Sequence, residues 1–531
     1  MRRKGVSPIV VILFTAFFIV VFDNINFMQN VLKVFPFTWQ NSGFLLSTVI
    51  FLWALIVLIF VLITTRFTLK ITLIFMLFLS AITNYFMMTY SIAIDDEMIR
   101  NSMQTDLKET ADLVNSKMLL YLFVLAIVPS YFIVKTKIIY ASFPREILYK
   151  IVYIFTCILI IMIVLLSFSK YYTSFFREHK PLRYYTNPTY TLYSFGKYIV
   201  KTYAKKPDFK DIGLDAKMHD PHKKLMIMVL GETLRADRLS LNGYEKKTNP
   251  LLEKEDVISF SNLFSCGTST AHSVPCMFSV YDRSNYSYLK GISTASVLDV
   301  LQHTQAVSVL WRDNNSDSKG VAQRVVYEDF RTPATNSICE GECRDIGMLV
   351  GLDDFIAKQN KDNIFIVLHQ MGNHGPAYFK RYPQEFERFT PTCKSNQIEN
   401  CTIEEISNTY DNTALYTDFF LSKVIAYLKS KQGMFETAMI YMSDHGESLG
   451  ENGIYLHGMP YIMAPIAQKR VASMVWIGSE RIKERVGFAQ LQKNAHKEYS
   501  HDNLFHSILG IMGVSTVSYD SKKDIFNKDV R

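Results

Sequence analysis

The stretch KLMIMVLGET, residues 224–233, joins an apolar run to a polar end that carries Glu232. Short apolar runs of this kind are typical of buried strands. Helix-like stretches such as YTDFFLSKVIAYLKS (416–430) separate this run from its counterparts, and strands that alternate with helices predict an α/β domain with a mostly parallel sheet. The same pattern recurs in three further runs: AVSVLW (306–311), NIFIVLH (363–369) and TAMIYM (437–442).

A polar cluster begins where each of these four runs stops. In open α/β sheets, ligands bind at the carboxyl ends of the strands. Four clusters at four strand ends therefore predict a ligand site at that edge of the sheet. The clusters are GET (231–233), RDNNSDSKG (312–320), QMGNHGP (370–376) and SDHGES (443–448), and YLHGMPY (455–461) follows further on.

Several side chains in these clusters suit a zinc site. Zn²⁺ binds nitrogen and oxygen donors, and its catalytic sites keep one position open. Glu232, Asp444 and His445 can supply three donors. His374 and His457 could bind a second metal ion or contact a phosphate. The alternative is structural, with an aspartate that caps a helix and histidines that are buried in the core.

A candidate nucleophile lies in LFSCGTSTAHSVPCMF (263–278), where two cysteines flank small hydroxyl residues. A free threonine hydroxyl is a poor nucleophile, but coordination by a metal favours its alkoxide. A disulfide would hold the turn, and the residues after it could begin a helix whose amides face an anionic phosphate. Thr268 and Thr270 both qualify, and their spacing does not separate them. The alternative is that these hydroxyls only form a turn.

The first third of the chain predicts a membrane anchor. Five apolar runs approach the roughly 20 residues that span a bilayer. No small-residue cleavage site follows the first run, which predicts an uncleaved anchor rather than a signal peptide. The runs are approximately 7–22, 43–63, 71–90, 118–134 and 151–168.

Charged loop residues predict the orientation of this anchor. Basic residues precede the first run and lie in the second and fourth loops, whereas acidic residues dominate the loop after the third run. The amino terminus is therefore expected in the cytoplasm, and five spans place everything after Phe168 outside. The basic residues are Arg2, Arg3, Lys4, Arg66, Lys70, Lys135, Lys137, Arg145 and Lys150, and the acidic ones are Asp95, Asp96, Glu97, Asp106, Glu109 and Asp112.

The cysteines agree with an exterior domain. Cys157 is alone in the fifth run, and the other six fall as near neighbours in the exterior part. An oxidising compartment predicts three local disulfides, and the spacing is not that of a zinc finger. The pairs are Cys266 with Cys276, Cys339 with Cys343, and Cys393 with Cys401.

Aromatic and basic residues alternate between the anchor and the exterior part. In residues 169–206 this pattern favours a segment on the outer membrane face, and a packed connector is the alternative. The formal charge of +8 fits a chain beside anionic lipid, and no nucleic-acid motif is present. The predicted domains are a five-span region (1–168), an interfacial connector (169–206) and a catalytic domain (207–531).

The motifs together resemble the lipid A phosphoethanolamine transferases, the group that includes the mobile colistin-resistance enzymes. NSMQTD at 101–106 also resembles a stretch in the anchor of that family. The family has an alkaline-phosphatase-like fold. The resemblance rests on seven motifs in order: GETLRADRLSLNGYEKKTNP, SCGTSTAHSVPCMFS, WRDNNSDSKGV, GNHGP, YDNTALYTDFFLSKVI, SDHGESLGENGIYLHGMPY and SHDNLFHSILG.

This resemblance implies roles for particular residues. The family nucleophile aligns with Thr270, and the three disulfide pairs match. Two positions depart from the family pattern: the Cys339–Cys343 loop is short, and Asn373 stands where serine is expected. The implied zinc ligands are Glu232, Thr270, Asp444 and His445, and the implied phosphoethanolamine-binding residues are Asn315, Lys319, His374 and His457.

The resemblance also implies a two-step reaction at the bacterial inner membrane, with the catalytic domain in the periplasm. Thr270 would take phosphoethanolamine from phosphatidylethanolamine, and a phosphate of lipid A would then accept the group. Zinc would stabilise the developing charge and Lys319 would add to it. An added ammonium weakens the binding of cationic peptides such as polymyxin and colistin. We expect a monomer.

Other functions remain open at this level. A related enzyme could use another acceptor, such as a core sugar, a glycan or a protein, or could transfer phosphoglycerol. A sulfatase is disfavoured because no Cys/Ser-x-Pro-x-Arg pattern occurs at the nucleophile. A membrane-anchored binding protein for lipid head groups would not need an activated nucleophile.

Overall fold

The computed structural model describes residues 5–104, 113–177, 179–203 and 207–529. The chain forms two compact units, one from Met1–Ile99 with Val114–Val200 and one from Arg100–Leu113 with Lys201–Arg531. Several residues used above lie outside the described ranges: Arg2, Arg3 and Lys4, Thr105 and Asp106 of the NSMQTD stretch, and Glu109 and Asp112.

The first unit is helical because its sequence consists of long apolar runs. Four of the described helices, α3, α4, α6 and α7, are long and apolar enough to cross a membrane. Helix α6 contains a π-helical turn at Phe123–Ile127. The helices that begin in this unit are α1 Pro8–Phe22, α2 Ile25–Val34, α3 Trp39–Ile63, α4 Leu69–Tyr90, α5 Asp96–Gln104, α6 Ser116–Lys135, α7 Phe143–Ser167, α8 Ser169–Arg177 and α9 Thr189–Tyr203.

The first predicted run, residues 7–22, forms α1, and a bend after it leads into α2. Helices α1 and α2 meet at 56°, so the described residues contain four candidate spans, or five if the pair counts as one. Asn24 lies at the bend, donates to the Asn187 carbonyl at 2.7 Å and accepts from the Asn187 N–H at 2.8 Å. A buried amide satisfied in this way stabilises the bend. The count of five spans stays a prediction.

The connector folds into helices. It forms α8, a 3-10 turn at Lys180–Tyr185 and α9. Tyr172 is buried whereas Tyr203 is largely exposed. Some aromatic residues of the connector therefore pack inside the protein, and others lie on its surface. Its position on a membrane face stays a prediction.

The second unit is built on an eight-stranded sheet in the order β13-β3-β12-β9-β2-β8-β4-β5. Five neighbouring pairs are parallel, and β12 is antiparallel to both of its neighbours, β3 and β9. The mostly parallel sheet is therefore confirmed. The strands of this sheet are β2 Lys224–Gly231, β3 Val257–Phe264, β4 Val307–Asp313, β5 Val326–Asp329, β8 Asn363–His369, β9 Glu436–Ser443, β12 Arg470–Ile477 and β13 Tyr499–Ser500.

Six short strands form three two-stranded antiparallel ladders outside this sheet. They pair β1 with β14, β6 with β7 and β10 with β11. These strands are β1 Lys217–Met218, β6 Cys339–Glu340, β7 Glu342–Cys343, β10 Ser448–Leu449, β11 Tyr455–Leu456 and β14 Val514–Ser515.

Buried apolar clusters cover both faces of the sheet. One face contains Met226 and Met228 of β2, and the opposite face contains Leu225 and Ile227. This alternation follows from the two-residue period of a strand and explains why β2 is apolar throughout. The helices of this unit are α10 Thr270–Met277, α11 Tyr288–Ile292, α12 Val297–His303, α13 Leu352–Ala357, α14 Ile403–Lys431, α15 Glu480–Val486, α16 Phe488–Asn494 and α17 Leu504–Met512.

The three predicted disulfides are present. Cys266 bonds Cys276, Cys339 bonds Cys343, and Cys393 bonds Cys401. Cys157 is a free, buried cysteine in α7.

Candidate metal centre

Strand register brings the predicted ligands together. Strands β2 and β9 are parallel, with Gly231 opposite Ser443, so Glu232 and Asp444 leave the sheet side by side. The Asp444 N–H donates to the Gly231 carbonyl at 3.0 Å and continues the ladder by one step. Gly372, in the loop after β8, has a φ of +53°, and an added Cβ would lie 3.0 Å from the Glu232 carbonyl oxygen. A glycine is therefore needed where this loop approaches Glu232.

Glu232, Asp444 and His445, hereafter the carboxylate cluster, are fully buried. Each offers one donor atom, and the three atoms lie within 4.8 Å of one another. His445 Nε2 is 3.3 Å from both Glu232 Oε1 and Asp444 Oδ2. Two carboxylates and an imidazole that are buried together could hold a divalent cation.

Hydrogen bonds orient these donors. His445 Nδ1 lies 3.0 Å from the Gly446 carbonyl oxygen, so Nδ1 carries the proton of a neutral ring and Nε2 is left as a donor atom. Asp444 Oδ1 accepts from the Thr233 and His445 backbone N–H groups at 3.2 and 2.7 Å. Asp444 Oδ2 is buried and accepts no hydrogen bond among the described residues. The His445 Nε2 atom and the Asp444 Oδ2 atom are therefore both suited to bind a metal ion.

The three groups strongly affect one another's protonation. Burial alone would raise the pKa of Glu232, but its contact with His445 holds that pKa below its ordinary value. Burial and the Glu232 charge raise the pKa of Asp444 to about 6. Burial opposes charge on His445, but Asp444 and Glu232 raise its pKa to about 10. The cluster therefore requires a positive charge, which a proton or a metal ion can supply.

Thr270 faces the carboxylate cluster. It is the first residue of α10, and Ser269 precedes it in an extended conformation. Thr270 Oγ1 lies 3.2 Å from Glu232 Oε2 and 3.3 Å from His445 Nε2. Thr268 instead donates its hydroxyl to the Met459 carbonyl at 2.6 Å and accepts from the Gly458 N–H at its own carbonyl. The two threonines therefore have different environments, and only the Thr270 oxygen is available to the cluster.

The loop after β4 contributes Asn315. Its side-chain amide donates to Glu232 Oε2 and to the Gln370 carbonyl, both at 2.9 Å. Asp313 supports this loop, because its Oδ1 accepts from the Asn315 and Asp317 backbone N–H groups. Asn315 therefore lies directly at the edge of the site.

Lys319 lies further along the same loop and is buried. Its ammonium donates to the Ser316 carbonyl at 2.8 Å and to the Gln104 carbonyl at 3.3 Å. Gln104 ends α5 and belongs to the same compact unit as the sheet. The charge of Lys319 is thus held by carbonyl oxygens that a phosphate could replace.

His374 and His457 lie together beside the cluster. Their ring centroids are 5.5 Å apart, and the His457 ring is 4.4 Å from that of His445. Glu447, to which the sequence analysis assigned no role, is buried and lies 2.8 Å from His457 Nδ1. Donor atoms of His445, Glu447 and His457 form a second group that could hold a metal ion.

Ser273 and His501 also lie at the site, although no signal in the sequence indicates a role for either residue. Ser273 lies one turn after Thr270, and its hydroxyl donates to the Asp444 carbonyl. His501 contacts Cys266, Ser273 and Ser443. Both residues occur within quoted motifs, SCGTSTAHSVPCMFS and SHDNLFHSILG, but nothing in their spacing indicates these contacts. Cys266, His272 and Cys276 also lie close together, but both cysteines are in a disulfide and cannot act as thiolate ligands.

Two family models match separate parts of the chain. A model described as Sulfatase matches residues 224–514, and one described as Phosphoethanolamine transferase EptA/EptB matches residues 52–203. The chain is 42% identical over 492 residues to the phosphatidylethanolamine transferase Mcr-1 of Escherichia coli, covering 89% of this chain and 90% of that protein. It is 38% identical over 537 residues to the phosphoethanolamine transferase EptA of Escherichia coli, covering 99% and 97%.

Two solved structures of phosphoethanolamine transferases are also similar to this chain. The integral membrane protein lipooligosaccharide phosphoethanolamine transferase A (EptA) from Neisseria meningitidis matches with a TM-score of 0.93 at 33% identity, covering 98% of both chains. The C-terminal periplasmic domain of phosphoethanolamine transferase EptC from Campylobacter jejuni matches with a TM-score of 0.54 at 41% identity. That match covers 61% of this chain and 99% of the other.

Proposed function

Because this chain belongs to the phosphoethanolamine transferase family, within the alkaline phosphatase superfamily, we propose that it transfers phosphoethanolamine from phosphatidylethanolamine to a phosphate of lipid A. The observation that supports this most directly is the position of Thr270 Oγ1, at 3.2–3.3 Å from Glu232 and His445. A hydroxyl held against a metal-binding cluster is the arrangement that nucleophilic phosphoryl transfer requires.

Thr270 acts in two displacements. Its oxygen bonds to the phosphorus of phosphatidylethanolamine while the bond from phosphorus to the glycerol oxygen breaks, and diacylglycerol leaves with the hydroxyl proton. An oxygen of the lipid A phosphate then attacks the same phosphorus, the bond to Thr270 breaks and the threonine takes up a proton. Zinc, bound by Glu232, Asp444, His445 and Thr270, would supply the positive charge that favours the alkoxide.

Four further residues bind the transferred group in this proposal. Asn315 lies at the cluster edge, where its amide can donate to a phosphate oxygen. Lys319 adds a cation that can exchange its carbonyl partners for phosphate. His374 and His457 offer ring nitrogens on the other side of His445.

The anchor brings the enzyme to its substrates, whose acyl chains stay in the bilayer. We propose five spans in residues 1–168, with the amino terminus in the cytoplasm of a bacterium. Residues 169–206 lie on the outer face of the inner membrane, and residues 207–531 work in the periplasm as a monomer. The added ammonium lowers the negative charge of lipid A, which weakens its attraction for colistin and polymyxin.

Mass spectrometry of lipid A from cells expressing this chain tests the transfer. The expected product carries one added phosphoethanolamine, and cells with Thr270→Ala should lack it. A phosphoglycerol adduct, or an unmodified lipid A with another acceptor labelled, would contradict the proposal. Diacylglycerol release by the purified full chain in phosphatidylethanolamine vesicles tests the first displacement separately.

A further inference from the structure

His501 is a buried histidine that the proposed reaction does not use. It lies in a 3-10 turn, His501–Asn503, between β13 and α17, and is 1% exposed. A buried imidazole is shielded from bulk solvent, so its ring nitrogens are expected to find hydrogen-bond partners within the protein. The hydrogen-bond partners of His501 therefore indicate its protonation state and tautomer.

Two backbone groups determine which nitrogen carries the proton. The Cys266 N–H can only donate, and it lies 3.1 Å from His501 Nδ1, so Nδ1 must accept. The Ser443 carbonyl can only accept, and it lies 3.0 Å from Nε2, so Nε2 must carry the proton. Neither partner can reverse its role, so the ring is neutral and has one tautomer. Burial agrees with this, since it lowers the pKa of His501 to about 3.

These contacts join the two halves of the site. Cys266 belongs to the loop that leads to the nucleophile, whereas Ser443 ends β9 directly before Asp444. Ser273, on the helix that Thr270 begins, lies 3.2 Å from His501 Nδ1 and also donates to the Asp444 carbonyl. His501 is thus a bridge between the segment that carries Thr270 and the strand end that carries Asp444.

We propose that His501 is a positioning residue that sets the distance between the Thr270 oxygen and the carboxylate cluster. The inference rests on the proposed function, because positioning has a consequence only if Thr270 reacts. Without the Nδ1 acceptor, the Cys266 N–H is buried and unsatisfied, and the loop and α10 are free to shift from the cluster. A displacement of about 1 Å at a reacting atom can reduce the rate about 100-fold.

Three substitutions separate the contacts of His501. His501→Leu removes both hydrogen bonds. His501→Asn keeps an acceptor near the place of Nδ1, and His501→Gln keeps a donor near the place of Nε2. Cys266 and Ser273, the two partners on the side of Thr270, both contact Nδ1. The asparagine variant should therefore be more active than the glutamine variant.

His506 provides a matched control. It is also buried, lies on α17 and accepts the Asp520 N–H at Nδ1 at 3.0 Å. Among the described residues, its hydrogen bond and its ring contact with Tyr519 are with the carboxyl-terminal segment, and it has no hydrogen bond to the nucleophile loop or β9. His506→Leu should therefore lower the melting temperature of the full chain without changing the rate of the chemical step.

The test measures diacylglycerol release by the full chain in phosphatidylethanolamine vesicles, together with zinc content and melting temperature. We expect His501→Leu to lower kcat about 100-fold with KM within about two-fold and zinc retained, and His501→Asn to recover at least about ten-fold of that loss. If folded His501→Leu has the same kcat as His506→Leu and wild type, or if His501→Asn and His501→Gln are equally active, the inference is overturned while the proposed function stays intact. A wild-type chain that releases no diacylglycerol would overturn the proposed function and this inference with it.

Discussion

The carboxylate cluster and the nucleophile loop, residues 265–269, meet at the candidate site, but different interactions hold each of them in position. The cluster lies on two adjacent parallel strands, and backbone register alone brings Glu232 beside Asp444. The loop is irregular, and a disulfide, the Met459 carbonyl and His501 hold it. Residues on strand ends are positioned by the core of the domain, whereas Thr270 depends on a few individual contacts. Substitutions in the two regions should therefore fail in different ways.

The largest effect is expected at the nucleophile. Thr270→Ala should lower diacylglycerol release on the order of 10⁴-fold or more, because among the described residues no other hydroxyl is hydrogen-bonded to the side-chain donor atoms of Glu232 or His445. Thr268→Ala removes a bond to Met459 and should keep most of the activity. Mass spectrometry should find a phosphoethanolamine adduct on the peptide with Thr270 in wild type. An adduct on Thr268, or equal activity of the two variants, would reverse the assignment.

A loss of metal is expected when a strand-end ligand is changed. Asp444→Asn should reduce zinc affinity more than the 10–100-fold that loss of an outer hydrogen-bond partner costs, and activity should fall with it. Zinc content of the purified chain is the measurement. Membrane insertion should not change.

Asp418→Asn is the control for this substitution. Asp418 lies on α14 and is also buried. Its carboxylate accepts hydrogen bonds from the Leu251 and Leu252 N–H groups, both at 2.9 Å. This variant should lose stability but keep its zinc. Zinc loss in both variants alike would mean that Asp444 acts only through the fold.

An intermediate effect is expected when the disulfide around the nucleophile is removed. Cys266→Ser with Cys276→Ser should cost about 2–4 kcal/mol of stability and lower kcat to a value between those of the two threonine variants. The pair Cys393 and Cys401 closes a similar short loop, with a separation of 8 residues against 10. Its removal should cost similar stability and leave kcat unchanged. If both double variants lose kcat equally, the first disulfide has no special role in positioning Thr270.

The smallest effect is expected from acid. The pKa of His501 is lowered to about 3 in the folded protein, so the unfolded chain, with an ordinary histidine, binds more protons below pH 6.5. Stability should therefore fall as the pH decreases from about 6.5 towards 3. In His501→Asn this fall should be shallower, measured by thermal unfolding of the full chain between pH 7 and pH 4.5. Identical slopes for wild type and variant would show that His501 is not buried in its neutral form.

Much of the fold was predictable because buried parallel strands are continuous apolar runs. The four runs identified in the sequence correspond to β9, β2, β8 and β4, which are adjacent and parallel. Strand β3 was missed because it alternates buried and half-buried residues. Strand β12 is almost wholly buried but antiparallel to β3 and β9, so the polar residues that follow it lie at the edge opposite to the candidate site and did not indicate its place in the sheet. Family membership, which the motifs indicated, is confirmed.

The sequence by itself predicted which residues would carry the chemistry. Strand ends, cysteine pairs and motif order are local or additive signals, and they indicated Glu232, Asp444, His445 and the three disulfides. Residue chemistry did not distinguish Thr268 from Thr270 as the candidate nucleophile, and only the family resemblance favoured Thr270. The tertiary structure decided the environment of each hydroxyl, the contacts of His501 and Ser273, and the bend at Asn24. These depend on hydrogen bonds between segments up to 235 residues apart, as from Cys266 to His501, and no local pattern encodes such distances.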